Sequence, residues 1–552
     1  MSNATEYKRF ENKPETQLLL DKSLFNSNIN NNINDNINKN ERKKDKNNEK
    51  YKTNIYGIEV DNFDDFLQNL YYYYKNKGYR NIITKNVTDI LSLLFTMFIS
   101  SVVFFFNWDS LHKCDLESFS CKNINIFSFQ TNIFSKVLFT IYISLFIVYT
   151  IWFIFGCTYT IKKTNFIKKF YNNYLQINDE ELLFINWNFI LEKIDKLQEN
   201  YNFIEGKRIY TRHDKLMIIQ RIMRRDNVII GLIENNILTD NKSKFLHNII
   251  YSKILEWNLR LAFINNLNSV NKTELLNEIN LKNKFILLGI FNVIIMPFSI
   301  MYNFIYFILD NVVHFHTEPK DFMNRTWTNY GFNYLRYYNE LPHICNQRLY
   351  LALKDAVSFT SQFKNIEYDT MNRFFIFIIG SVTSFMILLG IYNEALLTIT
   401  IFDRNLWWYI AIFTALIGIF KNNLGNPYFN QNPNIYLDKL KDNLGYKIDD
   451  MIEKMDLYSI NNRINIYLKY KLICLLYELI SVIITPYILL LIIPNKVSNL
   501  CDYLKNNLEK DKDLGYILKD SKFNIDTISI SKKFKQSAIN FNKYYNIGIE
   551  NV

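Results

Sequence analysis

Charge almost vanishes from six stretches of the chain, 90–106, 137–161, 285–309, 374–393, 405–420 and 472–493; the segments between them mix apolar and polar residues at three- and four-residue spacing. A helix needs about 20 apolar residues to cross a bilayer core, and its backbone must satisfy its own hydrogen bonds there. The pattern predicts an all-α integral membrane protein. Two stretches differ from the others: 285–309 carries Asn292, Pro297 and Asn303, and 472–493 carries Glu478 and Pro486. Proline removes a helix hydrogen bond and favours a bend. These two are read as re-entrant helical hairpins, at 285–313 and 472–494, and the other four stretches as transmembrane helices.

Basic residues set the expected orientation, because cytoplasmic flanks collect Lys and Arg. Lys75, Lys77, Arg80 and Lys85 precede the first span, and Lys162, Lys163, Lys168 and Lys169 follow the second. The loop 109–136 balances its charges and is read as lumenal. With the hairpins returning to their own side, both termini are expected in the cytosol. Residues 1–25 are polar and charged, so the first span is expected to serve as its own insertion signal. The Asn- and Lys-rich segment 1–55 is too polar to bury a core and is read as disordered. Segment 56–161 then holds an N-terminal cytosolic helix and the first two spans. Segments 162–284, 314–372 and 425–471 are read as cytosolic helices, 373–424 as the third and fourth spans, and 495–552 as a cytosolic C-terminal region.

Lys and Arg number 64 against 53 Asp and Glu, and the net charge of +11 fits anionic lipid better than nucleic acid in so apolar a chain. The six cysteines form no CxxC pair. Cys114 and Cys121 share the loop read as lumenal, where an oxidising compartment permits either a disulfide or two free thiols. In the first cytosolic segment Ile219, Ile222, Met223, Ile230 and Ile233 share one side of a helix, and Arg221, Arg224 and Arg225 share the other. That gives a basic ridge, which either draws phosphate head groups or is a solvated face with local ion pairs. Asp226 is expected to cap a new helix beside Asn227 or to pair with an arginine.

Several runs are familiar: RIMRRDNVIIGLIENNIL (221–238), GIFNVIIMPF (289–298) and YYNELPHICNQRL (337–349). NFDDFLQNLYYYYKNKGY (62–79), RFFIFIIGS (373–381) and YKLICLLYELISVIITPYIL (470–489) extend the pattern in order. The chain resembles the autophagy-related protein 9 family of autophagy lipid scramblases over roughly residues 60–545. The resemblance implies a domain-swapped homotrimer with a hydrophilic central pore and lateral cavities. It also implies Golgi- and endosome-derived vesicles and the preautophagosomal structure membrane as its location. Partners implied are phospholipids, further copies of the chain, a bridge-like lipid transfer protein and autophagy initiation factors. The activity implied is energy-independent phospholipid scrambling during autophagosome assembly.

A head group moving through hydrocarbon leaves its polar groups unsatisfied, so a hydrophilic path must lower that barrier. Asn292, Asn303, Glu478, Ser481, Lys421 and Asn422 are lipid-pathway candidates at membrane depth. A second set follows the first hairpin: His314, His316, Glu318, Arg325, Arg336, Glu340, His343 and Arg348. These either hold lipid phosphate and amine groups or lock protomer to protomer, the latter above all for Asn339, Glu340 and His343. The family usually has paired acids where this chain has Tyr477 and Glu478, and basic residues where it has His316 and Thr317. His314, His316 and Glu318 alternate across a helix and lack a further ligand, so no metal or cofactor is expected. With 14 glycines and no G-x-S-x-G, P-loop or H-E-x-x-H pattern, no enzyme chemistry is expected. An ion channel or transporter and a trimeric vesicle scaffold remain as other readings.

Overall fold

The computed structural model describes residues 56–105, 133–210, 212–238, 250–268, 276–317, 324–363, 366–401, 404–422, 432–511, 513–523 and 531–545, with the backbone alone at 56, 103–105, 133–135, 138, 266, 268, 310–317, 366, 368, 400–401, 419 and 422. Segment 1–55, the loop with Cys114 and Cys121, and Glu318 lie outside the described residues. By internal contacts the chain divides into Met1–Gly57 and Ile58–Val552, and every element below belongs to the second unit.

Helix α1 (Phe63–Lys75) is capped by Asn62, whose side chain accepts from the Asp65 amide at 2.9 Å. Asp64 and Asp65 in its first turn and Lys75 in its last oppose the helix dipole. Gly78, with φ +100°, makes the sharp entry to α2 (Tyr79–Phe105); a Cβ there would meet Asp179 at 2.9 Å. Helix α3 (Ile133–Phe170) ends in a π turn, Tyr171–Leu175. Helix α4 (Trp187–Leu197) leads to an antiparallel hairpin, β1 (Tyr201–Glu205) and β2 (Arg208–Tyr210), with Phe203 opposite Tyr210.

The chain continues through α5 (Lys215–Glu234), α6 (Lys253–Ala262) and α7 (Glu278–Thr317). Strand β3 (Arg325–Trp327), α8 (Asn329–Leu335) and α9 (Pro342–Ser361) follow, then the apolar pair α10 (Ile366–Tyr392) and α11 (Leu406–Asn422). Three short helices, α12 (Pro433–Leu444), α13 (Tyr446–Lys454) and α14 (Leu457–Tyr467), lead to β4 (Leu468–Tyr470), which pairs antiparallel with β3. Helix α15 (Lys471–Tyr487), a π turn (Ile488–Ile492) and α16 (Ile493–Asn507) come next. The hairpin of β5 (Leu508–Asp511) and β6 (Gly515–Leu518) and the terminal α17 (Lys532–Tyr545) complete the described chain.

Neither proline folds its segment into a hairpin, contrary to the expectation for 285–313 and 472–494. Helix α7 runs through Pro297 unbroken over 40 residues, about 60 Å, or roughly twice the thickness of a bilayer core. Helix α15 runs through Pro486 into the π turn, where the Ile493 amide donates to the Ile488 carbonyl, and then into α16. Each proline costs its helix one hydrogen bond, and the helix runs on past it without reversing. Among the described residues, five helical segments are long and apolar enough to cross a membrane: Tyr79–Val102, Phe139–Leu175, Glu278–Leu309, Asp369–Tyr392 and Lys471–Asn507. The apolar segment Leu406–Gly418 is shorter.

Two buried cores hold the helical layer together. One joins α1, the end of α3, α4, the start of α5 and α17 around Trp187, Phe170, Ile219 and Phe534. The other joins the end of α5 with α6, α9, α12, α14 and α16 around Leu232, Leu259, Phe359 and Leu500. A small aromatic cluster of Leu93, Tyr142, Phe146 and Phe298 ties α2, α3 and α7. Helices α10 and α11 pack chiefly on each other.

Candidate functional site

Helix α5 carries the densest polar network. Its residues from Ile218 to Met223 and from Asn227 to Ile233 are all buried, so the helix has no continuous solvent face. This corrects the expected basic ridge: Arg221 and Arg224 are each only 3% exposed. Both pair with Asp64 at the start of α1, and they donate to the Asp513 and Leu514 carbonyls at the tip of the β5–β6 hairpin. A buried guanidinium needs partners, and here α1 and the C-terminal hairpin supply them. Arg225 is more open and reaches Gln68 at 3.4 Å and Asp65 at 3.9 Å.

Asp226 lies within α5 and starts no new helix. It pairs with Arg260 of α6 at 2.7 Å and with Arg336 at 3.0 Å. Burial pushes its acidity down, but the two arginines outweigh burial and hold the carboxyl below its ordinary value. At the end of α5, Glu234 accepts from Lys447 at 2.6 Å and from Lys533 at 3.0 Å. Burial opposes its charge, yet Lys533 and Lys447 together bring its pKa down to about 2. Lys447 also sits 3.8 Å over the Tyr334 ring. Burial in turn lowers Lys533 to about 8, since one carboxylate serves two ammonium groups.

The NELPH block makes its polar contacts within its own chain. The Glu340 carboxylate accepts from Arg348 at 2.7 Å on each oxygen. Asn227 donates from its side chain to Asn339 at 2.8 Å, and the Asn339 amide donates back to Asn227 at 3.0 Å. His343 Nδ1 shares a hydrogen with the Tyr71 hydroxyl at 2.8 Å. Burial, helped by Lys77 and Lys75, keeps His343 neutral with a pKa of about 4. Arg336 is buried against Asp226 and the Glu340 carbonyl.

A second group of polar side chains lies along the apolar helices α7 and α15, which pack against each other and against α6. Asn292 of α7 donates to Asn258 of α6 at 2.8 Å and to its own Leu288 carbonyl at 2.7 Å. Glu478 of α15 pairs with Lys253, the first residue of α6, at 3.1 Å. Ser481 is buried and donates to the Glu478 carbonyl at 2.7 Å. Asn303 is half-buried on α7, and Lys421 is exposed at the end of α11. Arg325 donates to Thr360 and Asn465, each at 2.8 Å, at the β3–β4 junction. His314 and His316 fall on the last turns of α7, where only backbone is described. Among the described residues no cluster of His, Cys, Asp or Glu is suited to a metal ion.

Sequence patterning brings Asn292 and Glu478 to notice as polar residues in apolar runs, but it misses their partners Asn258 and Lys253. It also misses Asp64, Lys447 and Lys533. Each sits in an ordinary polar context, and only the paired Asp64–Asp65 at a helix start stands out locally.

A family model described as autophagy protein ATG9 matches residues 57–524. The chain is 24% identical over 500 residues to autophagy-related protein 9 of Arabidopsis thaliana, covering 84% of this chain and 57% of that protein. It is 26% identical over 468 residues to that of Dictyostelium discoideum, covering 81% and 65%. With the Saccharomyces cerevisiae protein it shares 26% over 504 residues, 85% of this chain and 48% of that one. The chain thus spans about half to two thirds of the length of the curated relatives it matches. The cryo-EM structure of Schizosaccharomyces pombe Atg9 has a similar fold, with a TM-score of 0.60 at 21% identity, covering 84% of this chain and 99% of that one.

Proposed function

The chain belongs to the autophagy protein ATG9 family, and from that premise we propose that it is an energy-independent phospholipid scramblase acting in autophagosome membrane expansion. The supporting observation is the row of polar side chains along α7 and α15, where Asn292–Asn258 and Glu478–Lys253 stand amid otherwise apolar helix surface. Polar groups at membrane depth are stable where water or protein meets them, and a water-lined path removes the desolvation barrier to a head group. Such a path needs no ATP, because it lowers a barrier without driving a gradient.

The assembly is a homotrimer with both termini in the cytosol, carried on Golgi- and endosome-derived vesicles to the site of autophagosome formation. In it the α10–α11 pair, which packs chiefly on itself here, swaps onto a neighbouring copy. A bridge-like lipid transfer protein delivers lipid to one leaflet, and this protein redistributes it to the other.

The test is scrambling in liposomes that carry dye-labelled lipid in both leaflets, with dithionite bleaching the outer leaflet. Wild type is expected to bleach beyond the outer-leaflet limit, and an assembled variant with Glu478 and Lys421 both replaced by Leu to bleach more slowly. Bleaching of wild type that stops at the outer leaflet, in vesicles shown to contain protein, would overturn the proposal and leave a scaffold as the better account.

A further inference from the structure

Helix α6 is short and two-faced. Leu255, Asn258, Leu259 and Ala262 are buried, whereas Lys253, Trp257 and Leu261 are exposed at four-residue intervals and so form one outward stripe. Its buried side rests on α7 and α15, the long helices that carry two of the membrane-length apolar segments. The Asn258–Asn292 contact ties it to the fifteenth residue of α7.

At one end of the stripe Lys253 meets Glu478 at 3.1 Å, and the two side chains are 73% and 54% exposed. Around this ion pair the surface of α15 is apolar: Leu472, Leu476, Ile480 and Ile483 are all exposed. An amphipathic helix with a tryptophan and a lysine on one stripe, set against apolar helices, has the composition of an element lying in the plane of the membrane interface. The ion pair then sits where head groups lie, and it offers an ammonium donor and a carboxylate acceptor a few ångströms apart.

We propose that Lys253, Glu478 and Trp257 form a docking site for the head group of a zwitterionic phospholipid. The lysine takes the phosphate, the carboxylate takes the amine, and the indole anchors the glycerol and upper acyl region. The charges on the protein are the mirror of those on phosphatidylethanolamine, so the pair exchanges its internal contact for two complementary ones. An anionic lipid satisfies the lysine but faces the carboxylate with like charge, which makes the site selective. This inference rests on the membrane placement of α7 and α15 proposed above but not on lipid movement.

Two binding measurements on the full-length protein test it. In vesicles containing acyl-brominated phosphatidylcholine, the fluorescence lost on replacing Trp257 by Phe, one of seven tryptophans, is expected to be the quenched component. An unquenched Trp257 would overturn the interfacial placement. Native mass spectrometry of protein released from mixed phosphatidylethanolamine and phosphatidylglycerol then reads selectivity. Wild type is expected to retain the ethanolamine lipid preferentially. Glu478→Gln, which leaves Lys253 charged, is expected to lower that preference about tenfold, the worth of a hydrogen bond to a charged group. A double Lys253→Leu, Glu478→Leu variant, which strands no charge, is expected to retain neither lipid at this site while keeping wild-type assembly. Unchanged selectivity in both variants would show that the pair only braces α6 against α15 and would overturn the proposal. Selective retention by a wild type that fails to scramble would remove the preceding proposal and leave this one standing.

Discussion

Helices α5 and α10 are both rich in aliphatic residues, yet they solve opposite problems. Helix α5 is enclosed by protein, and each acid and base turned inward on it has found a partner from a distant part of the chain: Asp64 for Arg221 and Arg224, Arg260 and Arg336 for Asp226, and Lys447 and Lys533 for Glu234. Helix α10 leaves Phe377, Phe385 and Ile391 72%, 62% and 77% exposed, and over Asp369–Tyr392 only 6% of its most apolar window is buried in the protomer. Burial of α5 is completed by this chain alone. That of α10 needs lipid or another copy, and a large exposed apolar surface is what such a boundary looks like in an isolated protomer.

This contrast predicts where substitutions hurt. Asp64→Ala strands two buried guanidinium groups and is expected to cost about 3–5 kcal/mol, read as a fall in the thermal midpoint of detergent-purified protein. A near-neutral result would mean that water reaches Arg221 and Arg224, which would break the comparison at its strongest point. Glu234 comes next. Its folded pKa, about 2, is depressed from an ordinary 4.5, so its contribution is fully present above about pH 4.5 and is lost as pH falls toward 2. That linkage amounts to about 3 kcal/mol. Glu234→Gln should therefore flatten this part of the acid-stability profile of the wild type, and a profile that keeps its shape would assign the acid sensitivity elsewhere.

Smaller effects sharpen the contrast. Tyr71→Phe removes two hydrogen bonds to His343, one to its ring and one from its backbone amide, and should lower stability by about 1–2 kcal/mol, measurable in a denaturant titration. Phe385→Ala, on the exposed side of α10, should change protomer stability by less than about 0.5 kcal/mol while weakening the oligomer on a native gel. A larger loss of protomer stability would place Phe385 in a core within the protomer.

Much of the architecture was legible in the chain, because hydropathy and helix capping are local properties. The charge-free stretches fall within the long helices, and Asn62 followed by Asp64 and Asp65 marks the start of α1. Proline misled at 285–313 and 472–494. Its cost is also local, but whether a helix runs on past it or reverses depends on the surfaces packed around it, and α7 and α15 pack side by side. The basic ridge of α5 misled for the same reason: its periodicity is real, but the face opposite the aliphatic residues is covered too.

That this is a helical, membrane-embedded chain, and which of its segments are apolar, follows from the side chains of neighbouring residues. The same patterning draws attention to Asn292 and Glu478 as polar residues out of place. Their partners, Asn258 and Lys253, come from the folding of distant helices together, which also brings Glu234 to Lys533 from 299 residues away. A charge's partner is chosen by the packing of whole helices, and no short-range pattern in the chain encodes that choice.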